Sequence, residues 1–177
     1  MKSSLFSHQF SSVHGIQEDV LRIVLNLKEV VFKHKNNKYI NISFTCRINK
    51  KDKGPVLAED IIIDDPDIEV VNKKYVLFHI TDDFEMLDIM LYARSGYNYL
   101  TSIQHRDYYA IKDDNNLLKE NVIYFDVSYN CVVYVNYHVY NYILSQDSDM
   151  VVTHQKLEEV IFTIRTDGSL TTKQAFG

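Results

Sequence analysis

The sequence is short of residues on which several classes of protein depend. Its 177 residues include only 5 glycines and no tryptophan. No run of glycines resembles a loop that cradles phosphate groups, and no GxSxG motif marks a nucleophile elbow. No apolar run is long enough to cross a membrane as a helix, and the first ten residues lack the apolar stretch of a signal peptide. We therefore expect neither a phosphate-binding loop nor a membrane span.

Cysteine and histidine also lack the spacing of a metal or redox site. Cys46 and Cys131 lie far apart without a CxxC pair, so we expect reduced, buried thiols in a reducing compartment. A nucleophile pair of Cys131 with a distant histidine has no local signature to support it. None of the seven histidines shows an HxxxH or HExxH spacing. The sequence therefore predicts no catalytic, cofactor-binding or metal-binding residue in this chain.

One acidic run bears a superficial likeness to a metal loop. Asp64, Asp65, Asp67 and Glu69 are crowded together, but the glycine and the closing glutamate of an EF-hand are absent. We interpret this run as a solvated turn.

The charge balance argues against a protein whose own task is to grip DNA. The net charge is −5 and the sequence pI is about 5.8. Nonspecific nucleic-acid binding usually needs a basic surface. Direct DNA binding is therefore not expected.

What the sequence does contain is typical of a soluble, β-rich globular protein. Hydrophobic residues make up 46% and charged residues 24%, and 13 tyrosines and 9 phenylalanines suggest aromatic-rich strands. Residues of alternating polarity predict strands at 40–48, 68–71, 76–80, 87–93, 122–144 and 160–164. We expect the strands between 68 and 93 to form a meander, 54–55 to be a turn, 96–121 to hold long loops, and 145–148 to break the strand before it. A helix is predicted to start at Thr171.

The clearest helical pattern lies at residues 15–28. Glu18 and Asp19 are predicted to lie in its first turn, and Lys28 near its last turn, as the helix dipole favours. The apolar residues that recur at three- and four-residue steps, and so share one face, are Ile16, Val20, Ile23, Val24 and Leu27.

The order of residues in this helix resembles the "G-(I/V)-Q-E-(D/S)" stretch ending in "N-L-K" of the alpha subunit of bacterial and plastid RNA polymerase. Gly15-Ile-Gln-Glu-Asp19 and Asn26-Leu-Lys28 carry the likeness. Six further blocks resemble the same family in the same order, at 7–12, 54–61, 68–81, 94–97, 132–139 and 158–170. Two departures are Ser95, in place of arginine or glycine, and Cys131, in place of a usual proline.

The resemblance implies an α+β, mostly β fold like the amino-terminal region of RNA polymerase alpha. It comprises an inserted β-rich lobe and part of an α/β dimerisation lobe. Residues 1–14 would lead in from the dimerisation lobe, residues 15–124 would form the inserted lobe, and residues 125–177 would form part of the dimerisation lobe. We expect the family's "L-G-N-A-L-R-R" helix, its later carboxy-terminal helix and its DNA-binding domain to lie outside this sequence.

The implied function is that of a non-catalytic alpha subunit, or fragment, of DNA-directed RNA polymerase, a nucleotidyltransferase. It would support assembly of the beta and beta-prime subunits during transcription, and magnesium would act in the catalytic large subunit. A second alpha subunit is a further implied partner, although the dimerisation helix is missing. The implied location is the plastid (chloroplast), with the bacterial cytoplasm as the alternative.

Three residues match family positions at subunit contacts. Lys28 matches a lysine implicated in contact with a large subunit, and Phe125 and Val132 match positions on the face that meets beta-prime. Each has a plainer interpretation: Lys28 as a cation at a helix end, and the other two as core hydrophobic residues. Two other functions remain open. The chain could be a free-standing β-rich protein-binding module, including a viral one, or a small hydrolase using scattered Asp and His residues.

Overall fold

The computed structural model describes residues 14–36, 42–82, 87–112, 122–148 and 151–176, with side chains except those of residues 112 and 143–156. These residues divide into two compact units, Met1–Asn130 and Cys131–Gly177. The helices are α1 (Val20–Lys28), α2 (Ser102–Lys112) and α3 (Thr172–Phe176). The strands are β1 (Phe32–His34), β2 (Ser43–Lys50), β3 (Gly54–Leu57), β4 (Ile61–Ile63), β5 (Ile68–Val70), β6 (Val76–Ile80), β7 (Leu87–Arg94), β8 (Tyr99–Leu100), β9 (Val127–Ser128), β10 (Val132–Ser148) and β11 (Val151–Thr166).

The secondary structure is mostly β with a few helices, which confirms the predicted α+β, β-rich fold class. The first unit ends at Asn130, whereas the sequence places the lobe boundary between residues 124 and 125. The intervening segment stays with the first unit because β9 pairs with β8.

Helix α1 begins later than its sequence pattern predicts. Ile16 forms an antiparallel bridge with Ile80, and Gly15 has a φ of 83°, so the chain runs beside β6 before it coils. Asp19 is the N-cap, and its Oδ1 accepts a hydrogen bond from the Arg22 backbone N–H at 2.7 Å. The predicted start at residue 15 is therefore wrong, because the bridge of Ile16 to β6 keeps residues 15–17 out of the helix.

Glu18 was predicted to lie in the first turn of α1, but it precedes the helix. It joins the start of α1 to β6. Its carboxylate accepts a hydrogen bond from the backbone N–H of His79 at 2.7 Å and lies 2.8 Å from Nδ1 of the same residue. The Gln17 backbone N–H donates to the His79 carbonyl at 3.0 Å. These contacts fix α1 against the strand on which its apolar face packs.

The strands of the first unit pair over long distances in sequence. The three-stranded sheet has the order β4-β2-β7, while β3 pairs with β6 and β1 pairs with β5, all antiparallel. The predicted meander is therefore wrong. Alternation of polarity identifies a half-buried strand but does not identify its partner.

The predicted turn at Gly54 and Pro55 is also wrong, since both belong to β3. Gly54 has a φ of 125°, which a residue without a side chain adopts readily, and it pairs with Ile80 at the beginning of the strand. Pro55 follows in a strand that, among the described residues, pairs only with β6, and proline's lack of an N–H is tolerated in such an edge strand.

One buried hydrophobic cluster unites α1 with two of these strand groups, β4-β2-β7 and β3-β6. Alternation in β2 is confirmed, because Cys46 and Ile48 are buried while Arg47 and Asn49 are exposed. The buried cluster consists of Ile16, Val20, Ile23, Cys46, Ile48, Val56, Ile61, Leu77, Phe78, Ile80, Leu87 and Ile89.

The region predicted to hold long loops contains α2. Thr101 and Gln104 form a capping box in which Gln104 Oε1 accepts from the Thr101 backbone N–H at 2.9 Å, and Thr101 Oγ1 accepts from the Gln104 N–H at 3.3 Å. The T-x-x-Q spacing of Thr101 and Gln104 therefore marks the start of a helix in the sequence. The helix was missed because it lacks a strong apolar face, and the rest of the predicted loop region, 113–121, lies outside the described residues.

The second unit is a long hairpin followed by a short helix. β10 and β11 pair antiparallel from Tyr134 with Arg165 to Ser148 with Val151. The predicted break at 145–148 is wrong, since these residues continue the ladder. Helix α3 is confirmed, because Thr171 and Gln174 form a capping box like that of α2.

Replacing Gly96 by alanine should destabilise the first unit. A Cβ at this position would lie 2.6 Å from the Cε2 atom of the Tyr129 ring, far inside contact distance. Overpacking of this kind costs about 1–3 kcal/mol. Urea unfolding should show this loss for Gly96→Ala. Tyr129→Ala should remove most of the added cost when the two are combined, and additive effects would contradict the clash.

Replacing Glu18 by alanine should lower the free energy of unfolding by about 1–3 kcal/mol, because the His79 backbone N–H loses its acceptor. Thermal unfolding of Glu18→Ala measures the loss. Glu59→Ala, at an exposed carboxylate of the same unit, is the matched control and should change stability by less than about 0.5 kcal/mol. Equal effects of the two variants would show that the Glu18–His79 contact does not stabilise the fold.

Candidate partner-binding surfaces

The outward side of α1 carries apolar residues where a solvated helix would carry polar ones. On the side away from the buried Val20 and Ile23, the side chains of Leu21 and Leu25 are 40% and 44% exposed. Lys28 continues the same stripe, because residues at i, i+4 and i+7 share one helix face. The two leucines of the stripe are exposed apolar area that a partner could cover, with Lys28 at their edge.

An open groove of about 360 Å³ lies beside this stripe. We call it the α1 groove, and its lining residues are Arg22, Leu25, Asn26, Lys28, Glu29 and Tyr75.

The walls of the α1 groove are tied to the core by hydrogen bonds. Asn26 Nδ2 donates to the carbonyl of Leu77, a residue of β6, at 2.7 Å. Asn72 Nδ2 donates to the Glu29 carbonyl at 2.8 Å, and Asn72 Oδ1 accepts from the Val31 N–H at 2.9 Å. These hydrogen bonds hold the end of α1 and the turn before Tyr75 together within the chain itself.

The structure brings Lys28 close to the segment that contains Phe125. The pKa of the neighbouring Asp126 is lowered chiefly by the hydrogen bond from the Tyr99 hydroxyl at 2.6 Å, then by the Ser102 N–H, with the charge of Lys28 as a further cause. Lys28 is therefore near enough to Asp126, the residue after Phe125, for its charge to act on that carboxylate. No sequence spacing linked them, since about a hundred residues separate them.

Phe125 and Val132 are each half-buried. Val132 belongs to the second unit, where it pairs with Thr166 at the start of β10. Half-burial agrees with a core role as well as with a contact role. The assignment of Lys28, Phe125 and Val132 to subunit interfaces therefore stays a prediction.

The second unit carries an apolar face of its own. Three consecutive cross-strand pairs project to the same side of the hairpin, and we call them the hairpin face: Val135 with Ile164, Tyr137 with Phe162, and Val139 with Val160. All but Ile164 are exposed. Phe176 of α3 lies against the middle pair of this face, with its ring centre 6.3 Å from that of Phe162. A two-stranded hairpin is marginally stable alone, so this face is suited to burial by another element.

An arginine enclosed by aromatic rings joins α2 to β7, and sequence patterns did not reveal it. The guanidinium carbon of Arg94 lies 3.8 Å from the ring centre of Tyr108, and the ring of Tyr109 lies near that of Tyr92. Burial raises the pKa of Tyr109 to about 12. Burial and, secondly, the charge of Arg94 lower the pKa of His105. The shifted pKa values favour neutral Tyr109 and His105 side chains near the charged Arg94. We interpret this cluster as a structural arrangement.

The two departures from the family pattern have structural roles. Ser95 ties the end of β7 to the start of β2: its hydroxyl accepts from the Ile42 N–H at 3.0 Å, and its own N–H donates to the Ile42 carbonyl at 2.8 Å. The Cys131 carbonyl accepts from the Asp167 N–H at 2.9 Å, beside the turn that follows β11.

The acidic run forms a turn at 64–67, as predicted, but Glu69 lies in β5, and two of the turn's carboxylates accept hydrogen bonds. Asp65 Oδ1 accepts from the Asp67 N–H at 2.9 Å, and Asp64 accepts from the Thr45 hydroxyl. Within the described ranges, no three His, Cys, Asp or Glu side chains are grouped as metal ligands. Within the same ranges, no helix has the length and apolarity needed to cross a membrane.

Residues 2–130 match the family described as the RNA polymerase Rpb3/RpoA insert domain. Because the match spans most of the 177 residues, the chain belongs to this family. It is accordingly an alpha-type subunit of RNA polymerase, which confirms the resemblance inferred from the sequence motifs. The match ends at Asn130, where the first compact unit also ends.

Cys46 should be inert in the folded protein. Burial, followed by the charge of Asp64, raises the pKa of its thiol to about 12, so the reactive thiolate at pH 8 is about a thousandfold scarcer than for an ordinary cysteine. A Cys131→Ser variant should therefore react with a thiol reagent such as DTNB only after unfolding in denaturant. Rapid labelling of this variant under native conditions would contradict the buried position of Cys46.

Proposed function

We propose that this chain is a non-catalytic alpha-type subunit that provides a platform for assembly of the beta and beta-prime subunits of DNA-directed RNA polymerase. Family membership supports association with other polymerase subunits. In this proposal nucleotidyl transfer, with its magnesium, occurs in the large subunits. The chain contributes a folded surface to which they bind.

The observation that carries the proposal is the exposed stripe on α1. Leu21 and Leu25 are each about half-exposed, and covering the rest of each side chain contributes on the order of 1 kcal/mol to binding. Because α1 is fixed on the core by Ile23 and by the Glu18–His79 contact, the stripe needs little ordering when a partner binds. Lys28 and the segment around Phe125 extend the same surface at the end of the helix.

The hairpin face supports a second contact of the same kind. Its three apolar pairs are aligned along the ladder, and Phe176 of α3 contacts the middle pair at Phe162, while Val135 and Val139 remain exposed. We assign this face to the dimerisation lobe, where it would be buried in the assembled alpha dimer. The proposed location is the plastid, with the bacterial cytoplasm as the alternative.

Co-expression of the chain with its cognate beta and beta-prime subunits tests the proposal. The wild-type chain should co-purify with both large subunits. Leu21→Ser combined with Leu25→Ser should weaken binding about tenfold, since it removes roughly 1–2 kcal/mol of apolar contact. The matched control combines Ile62→Ser with Ile103→Ser, which replaces two more exposed apolar residues outside α1, and should bind normally.

Thermal melting of both variants separates a binding defect from an unfolded protein. Equal binding by the α1 variant and the control would show that the stripe is not the contact surface. A stable wild-type chain that binds neither large subunit, but binds an unrelated protein, would favour the free-standing binding module instead.

A further inference from the structure

Helix α2 is anchored by a buried histidine. Of the α2 residues whose side chains the structure describes, only His105 is buried, at 7% exposure, while Tyr108 and Tyr109 are half-buried. The ring centre of His105 lies 6.2 Å from that of Tyr129, which follows β9. The attachment of α2 to the rest of the unit therefore depends on few side chains, and such elements open more readily than a core does.

An enclosed nitrogen of His105 has no hydrogen-bond partner. This atom is Nε2, and within the described residues no group bonds to it. The same holds for Nε and Nη1 of Arg94, whose guanidinium carbon lies 3.8 Å from the ring centre of Tyr108. Arg94 ends β7, and arginine keeps its charge at every pH at which proteins fold. A buried donor without an acceptor is costly, so a second positive charge at this contact would be costly as well.

The other titratable groups around His105 hold one charge state at neutral and mildly acidic pH. Burial raises the pKa of Tyr109 to about 12, and burial is also the chief cause that raises the pKa of Tyr129, so both rings stay neutral. On α2 itself, Arg106 and Asp107 are exposed and form an ion pair with 3.6 Å between Nε and Oδ1. The charge that changes at this contact is therefore that of His105.

Asp126 is the carboxylate whose charge acts on His105. Its pKa is lowered, chiefly by the Tyr99 hydroxyl, and its Oδ1 accepts from the Ser102 N–H at 2.7 Å at the start of α2. Asp126 favours a protonated His105, whereas burial and then the charge of Arg94 disfavour one. Burial and Arg94 prevail, since the pKa of His105 is lowered overall.

We propose that His105 is a pH-sensitive latch, which holds α2 against the end of β7 while its imidazole is neutral and releases the helix when it is protonated. Protonation puts a proton on both ring nitrogens, so Nε2 becomes a donor without an acceptor, beside a guanidinium that already has two such donors. Opening of α2 gives both cations access to water. The latch is independent of the proposed assembly function.

The direction of the pH effect follows from the pKa of His105, which burial and then the charge of Arg94 lower in the folded chain. A histidine that is less basic when folded stabilises the folded form above its unfolded pKa of about 6.5. That stability is lost as the pH falls through the folded pKa. Helix α2 should therefore stay docked at about pH 7.5 and should open increasingly as the pH falls below about 6.5.

Hydrogen exchange of the full chain tests the latch. Protection factors, which correct for the pH dependence of the intrinsic exchange rate, should fall at least about threefold for the α2 amides between about pH 7.5 and pH 5. Those of β2 should not change, because Cys46 and Ile48 are packed in the buried cluster. An NMR titration of the His105 ring should give a pKa below about 6.5.

Two variants separate titration of His105 from its packing. His105→Phe keeps a ring and removes the titration, so its α2 protection should be the same at both pH values. Arg94→Met retains an apolar chain against Tyr108 without the charge, so it should raise the pKa of His105 and reduce the pH response of α2. The matched control His14→Gln removes a histidine whose side chain is 99% exposed, and should leave the response of α2 unchanged.

Three results would overturn the latch. The first is a pKa of His105 at or above about 6.5, because folding would then not disfavour its protonation. The second is equal α2 protection at the two pH values. The third is a fall in β2 protection as large as that in α2, which indicates global unfolding. If His105→Phe does not fold, the titrations of His105 in the wild-type chain and in Arg94→Met decide the question.

Discussion

The packing of α1 against β6 is the contact on which the rest of the first unit depends. Ile23 of the helix and Phe78 of the strand are both fully buried in one cluster, and Glu18 holds the two elements together through the backbone N–H and the ring of His79. Since β6 also pairs with β3, and the cluster includes residues of β2, β4 and β7, this contact joins separate small sheets into one core. Small sheets of two or three strands gain their stability from such packing.

The same packing gives α1 two different sides. Its inner residues complete the core, while Leu21, Leu25 and Lys28 remain on the outside beside the α1 groove. A helix that is fixed by its inner face presents its outer residues in one arrangement, which lowers the entropy lost on binding. An insert domain fixed in this way can therefore act through shape, apolar area and charge.

Much of the fold and some of the surface could be predicted from the sequence. Alternation identified β2 and β7 because each has one buried and one exposed side, and the residue order of α1 pointed to the polymerase alpha family. Helix α2 was missed because it has no strong apolar face in the sequence. Its contact with β7, through Tyr108 and Arg94, joins distant positions and leaves no local pattern. The same reason hid the nearness of Lys28 to Asp126.

The sequence by itself determined the strands that have one buried side, such as β2 and β7, the apolar face of α1, and the family to which the chain belongs. These properties depend on neighbouring residues and on their order. Only the tertiary structure decided that β6 pairs with β3 and β7 with β2, that Ile16 joins β6 rather than the helix, and that Arg22, Lys28 and Tyr75 share one groove. The physical reason is that burial and pairing depend on contacts between distant segments, which compete with local preference and here outweigh it.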